Sequence, residues 1–220
     1  MPNMNESFPD IRRAPLILPA SLEAQRGELE ESLAAAQSRI ENFALENGWM
    51  KHAEKIFIER VEIYDDHEKY RQAVVKFLGM APAAEFPKTY SACLERNVLF
   101  MVSPRLYAKN YPEGREKDSY EKLIAHEMAH RLHVGILGGY EDAMGPVWFY
   151  EGFAVYASGQ FEGSAQKLSP SEMRVIMANP KRGSYKKYGA LFRYLLTQTS
   201  LQELLKHAVE KGFMENLIEN

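Results

Sequence analysis

The sequence predicts an α+β fold, in which a few strands in the first half precede an almost wholly helical second half. Two observations predict it. The strand-like runs, 55–64 (KIFIERVEIY) and 98–102 (VLFMV), both lie before residue 103. From residue 118 onward, segments with helical spacing and helix-start signals follow one another. The chain has 220 residues, 45% hydrophobic and 26% charged, which is ordinary for a globular protein able to bury a core.

Composition excludes several classes. A net charge of −3 and a pI near 6.1 give no hint of a nucleic-acid surface. No window approaches the ~20 apolar residues of a membrane span. Cys93 is the single cysteine, so no disulfide forms within the chain, and a cytoplasmic location is the simplest expectation, a secreted form with its signal peptide removed being the alternative. The stretch MPNMNESFPDIRRAPLILPA lacks the long apolar core of a signal peptide.

Residues 1–20 contain Pro2, Pro9, Pro15 and Pro19 and read as an irregular arm before a single domain over 21–220. Within that domain, 21–97 forms a helix and strand part, and 98–220 carries the metal site and the later helices. A helix is expected at 21–47, with Leu29, Leu33, Ala36, Ile40 and Phe43 on one face and Gly48 as its stop. The strand 55–64 follows, then a helix capped by Asp65 or Asp66 with Tyr70, Ala73, Val74, Phe77 and Leu78 inward. Residues 80–96 contain Pro82 and Pro87 and read as loop; 98–102 is a strand ended by Pro104. Pro112 and Gly114 mark another loop. Asp118 to Glu121 suggest a capping box opening a helix that stops at Gly135. Further helices are expected at 147–158, 170–178, 184–197 and 200–217.

The chemistry concentrates in one eight-residue window holding His126, His130 and His133. His126 and His130 bracket His-Glu-Met-Ala-His. Four residues advance a helix by about 400°, so the two imidazoles leave one face a turn apart and can share a Zn²⁺ ion. Glu127 sits one residue round, close enough to touch a metal-bound water without ligating. His133 lies about 10 Å along the axis from His126, too far to share that ion. It reads as a cleft residue supporting the ligands or as a solvated histidine.

HEMAH together with Trp148-Phe149-Tyr150-Glu151-Gly152-Phe153-Ala154-Val155-Tyr156 resembles the gluzincin zinc peptidases. In those, a glutamate within W-x-x-E-G-x-A completes the metal site, which points to Glu151 here. A carboxylate in so apolar a helix also needs a compensating cation. The resemblance covers roughly residues 98–205. It implies peptide-bond hydrolysis through a zinc-activated water, with Glu127 as general base and a peptide or protein as substrate. It also implies a tyrosine donor for the developing oxyanion, and the helix SYKKYGALFRYL offers Tyr185 and Tyr188. The VLFMV run is similar to the family's edge strand, which can bind an extended peptide. A buried core strand is the competing reading.

Other patterns depart from the family. Position 155 is Val155 where some members carry an aspartate that orients a histidine. The metzincin pattern fails at His133 and Ile136. Glu141 and Asp142 lie in a glycine-rich loop with no supporting pattern. Cys93 would resemble a peptide-deformylase ligand only in a glycine-containing context, which Ser-Ala-Cys-Leu-Glu lacks. Gly212-Phe213-Met214-Glu215-Asn216 spells an aminopeptidase signature, but it follows the metal motif in a helical pattern and reads as coincidence. Two other functions fit the same residues: a catalytically silent binding protein on this scaffold, and a hydrolase of a non-peptide amide.

Overall fold

Regular structure begins earlier than the prolines suggest. The computed structural model describes residues 10–55, 58–83 and 86–219. Within the expected arm, Ile11–Arg13 forms a 3-10 turn and Leu16–Ile17 forms strand β1, parallel to β2 (Arg60–Tyr64). Pro15 and Pro19 confine β1 to two residues at the sheet's edge, where missing donors cost nothing. Residues 1–9 of the arm lie outside the described part.

The expected 21–47 helix divides into a 3-10 segment, Ala20–Gln25, and helix α1, Arg26–Glu46. Its buried stripe is Leu29, Leu33, Ala36, Ile40 and Ala44. Phe43 is only half-buried and leans on Trp49, ring centroids 6.0 Å apart. Gly48, at φ 73°, ends the helix as expected. The Trp49 N–H then reaches back 2.7 Å to the Ala44 carbonyl. A short helix α2, Met50–Ala53, precedes the expected 55–64 strand, of which Arg60–Tyr64 forms β2. Residues 56 and 57 lie outside the described part.

Asp66 caps helix α3, His67–Leu78, accepting from the Lys69 N–H at 2.9 Å. Asp65 instead takes the Ser21 hydroxyl. The supposed loop at 80–96 contains strand β3, Ala92–Glu95, antiparallel to β4, Val98–Val102. Arg96 and Asn97 join them in the left-handed region, φ 46° and 64°, as a two-residue primed turn requires. The sheet order is β1-β2-β4-β3. VLFMV is therefore an interior strand with all five residues buried, and β3 holds the edge position expected for it. Five adjacent apolar residues suit a strand covered on both faces.

Ser103 caps helix α4, Pro104–Asn110, and Pro112–Gly114 makes a 3-10 turn. Helix α5, Ser119–Ile136, carries the histidines. Asp118 has φ 57°, not the extended backbone of a capping residue. Glu121 turns one oxygen to Arg39, at 2.7 and 3.0 Å, so the expected capping box does not govern this start. The helix runs past Gly135 and stops at the left-handed Gly138 and Gly139.

The remaining helices are α6 (Val147–Ala157), α7 (Pro170–Ala178), α8 (Tyr185–Leu196), α9 (Leu201–Lys206) and α10 (Lys211–Glu219). The single helix expected at 200–217 is thus two. His207 stacks on Phe213 across the break, centroids 4.5 Å apart. Strands early and helices late make the fold α+β, as the sequence predicts.

The chain divides into two compact units, Met1–Met128 and Ala129–Asn220, the division falling inside the unbroken helix α5. In the first, α3 packs on β2 and β4, with the Phe77 and Phe100 rings 5.0 Å apart. In the second, α6 packs closely on α8, where Phe192 meets Phe149, Phe153 and Tyr156 at 5.4 to 6.2 Å.

Candidate metal centre

Helix α5 places His126 and His130 one turn apart, and α6 places Glu151 beside them. One ligand atom from each of the three lies within 4.8 Å of the others. Ligand atoms about 2 Å from a common tetrahedral ion stand about 3 to 4 Å apart. The His130 Nε2 to Glu151 Oε2 separation is 3.4 Å, which matches. Two imidazoles and one carboxylate are also the donor set of a catalytic zinc with one position open to water. The residues therefore fit a metal.

Burial grades across the group. Glu151 is fully buried, His126 is 4% exposed and the His130 side chain is 21% exposed. The site thus has a closed side at Glu151 and a wetter side at His130. Glu127, next to His126, is half-buried and has no ion-pair partner among the described residues. Its charge reaches the buried Tyr70 on α3, where it adds to burial in holding that phenol above its ordinary pKa.

A fully buried carboxylate is costly without compensation. Part of it comes from Arg182, on the loop between α7 and α8, whose Nη1 is 3.0 Å from Glu151 Oε1. The same nitrogen donates to the Tyr185 hydroxyl at 2.9 Å. Tyr150, one residue before Glu151, sets its ring edge-on to His130, centroids 5.8 Å apart. Burial raises its pKa, opposed by the Arg182 guanidinium. Sequence periodicity carried no sign of Arg182 or Tyr150. The one available clue was the unmet charge of Glu151 in an apolar helix.

The two tyrosine candidates separate. Tyr188 is 3% exposed, and its hydroxyl accepts the Gly183 N–H at 2.5 Å and donates to the Lys181 carbonyl at 3.3 Å. It clamps the loop bearing Arg182. Tyr185 reaches the metal group through Arg182.

His133 is fully buried, not solvated, with its ring 4.5 Å from Phe153 and 6.1 Å from Phe149. Desolvation, and secondarily His130, push its pKa down to about 3. Val155, also buried, packs against α8. Glu141 and Asp142 are exposed on a 3-10 turn, Glu141 standing 3.9 Å from Arg131. Cys93 is a buried strand residue. Gly212 to Asn216 lie on helix α10, as their helical pattern predicts.

Comparison with protein-family models, curated proteins and solved structures finds no match to this chain. No helix among the described residues is long and apolar enough to cross a membrane.

Proposed function

We propose that the protein is a zinc-dependent peptidase of gluzincin type. The observation that carries this is the grouping of His126, His130 and Glu151 beside Glu127, which has no ion-pair partner among the described residues. His126, His130 and Glu151 would hold the ion. Bound zinc would supply Lewis acidity and lower the pKa of a water toward neutrality. Glu127 accepts a proton from the attacking water and returns it to the leaving amine. Tyr185, accepting from a guanidinium, is made a better donor toward the oxygen that gains charge. The VLFMV run takes no edge role in this reading, because β4 is interior.

The test is elemental analysis and peptide-library cleavage by wild type and Glu127→Gln. About one zinc per chain in both, with cleavage lowered at least ~100-fold in the variant, is expected from loss of a general base. Zinc retained with cleavage undiminished removes Glu127 from its role. Wild type that takes up no zinc on reloading overturns the reading in favour of a silent scaffold. Loss of zinc in Glu151→Ala separately tests the third ligand.

A further inference from the structure

Arg182 is fixed at the metal group yet open to solvent. Nη1 is held by Glu151 Oε1 at 3.0 Å and by the Tyr185 hydroxyl at 2.9 Å, while the side chain is 51% exposed. The loop beneath it is held on both sides by one phenol, through Gly183 N and Lys181 O to Tyr188. A cation held this way is preorganised, so a ligand meeting it loses little in ordering it. We propose that Arg182 determines specificity by binding a carboxylate of the substrate, so that the preferred substrates carry an acidic group beside the scissile bond. The inference rests on the peptidase reading and adds the substrate class to it.

Charge supports it. A divalent ion at the site would offset the two carboxylates, Glu127 and Glu151, so that an acidic substrate group would meet no net negative charge from them. The segment around Arg182 is itself basic. Lys181, Arg182, Lys186 and Lys187 fall within seven residues that include no acid. Lys187 stands 4.0 Å from Glu172, while Lys181 and Lys186 have no ion-pair partner among the described residues. The planar guanidinium fork also matches a carboxylate better than an ammonium does, which gives the site a geometric as well as a Coulombic preference.

The experiment measures equilibrium binding, so that it does not depend on turnover. Zinc-loaded Glu127→Gln protein is titrated by fluorescence anisotropy with two labelled peptides, one bearing glutamates, the other glutamines at the same positions. The acidic peptide is expected to bind about tenfold or more tightly at low salt, and the preference to shrink as salt rises. Adding Arg182→Gln should abolish the preference, and Arg182→Lys should restore part of it. Should Arg182→Gln fail to fold, Lys181→Gln with Lys186→Gln provides the second test, expected to reduce the preference several-fold with zinc content unchanged. Equal binding of the two peptides overturns the proposal, as does a preference that survives Arg182→Gln. In the wild type, failure to cleave either peptide while the binding preference stands would remove the peptidase reading alone. Cleavage of both at equal kcat/KM would remove the specificity role alone.

Discussion

His133 shows how far a residue's surroundings can override its type. Its spacing from His126 left a supporting or solvated role open, and the structure seals it against Phe149 and Phe153. With a folded pKa of about 3 against an ordinary 6.5, the unfolded chain binds more protons between those values. Stability therefore falls as pH falls from 6.5 toward 3. For metal-free protein, urea melts at pH 6 and pH 5 should show wild type losing about 1 kcal/mol more than His133→Leu. Equal losses would mean that the imidazole is not buried as a neutral group. The two candidate histidine ligands were legible because HExxH acts within one helix, where spacing alone fixes geometry. Glu151 needed a second motif. Arg182 was invisible, since it reaches Glu151 across 31 residues through a loop whose course depends on Tyr188.

Elements were legible where one periodicity dominated. The buried stripe of α1, the interior run of β4 and helices α6 to α8 follow their sequence patterns to within a residue or two. β3 escaped because its turn, Arg96-Asn97, lacks the glycine that usually marks a primed turn. β1 escaped because two residues show no alternation. The element that positions Glu151 is α6, and its closeness to α8 depends on two glycines. A Cβ on Gly152 would stand 3.2 Å from the Tyr188 carbonyl oxygen. One on Gly189 would stand 2.5 Å from Val155 Cγ1, a buried β-branched side chain with little rotameric freedom. Gly189→Ala improves helix propensity by up to ~1 kcal/mol, but overpacking of this kind costs about 1 to 3. The net expectation is a loss of about 1 kcal/mol in thermal or urea melts, with weaker zinc binding because α6 must move. An unchanged zinc affinity would show that α6 holds Glu151 independently of that contact.

For the whole molecule, the candidate ligands come from two helices, His126 and His130 from α5 and Glu151 from α6, and Glu151 is a carboxylate with no access to water. Metal binding and folding should therefore be strongly linked, since the unfolded chain presents the same three side chains 25 residues apart at their extremes and without common geometry. Zinc at a hundred times its dissociation constant stabilises a folded protein by about 2.7 kcal/mol. At about 2 to 4 °C per kcal/mol for a chain of this size, zinc should raise the midpoint of wild type by roughly 5 to 10 °C. The midpoint of apo Glu151→Ala is a poor comparison, because that change also removes a buried charge and the partner of Arg182. The zinc-induced increment within each protein is the informative quantity, and it should fall below ~2 °C in Glu151→Ala and in His126→Ala. An increment that persists in both would place the ion elsewhere on the chain, and one that persists only in Glu151→Ala would leave the two histidines holding it with a ligand other than Glu151.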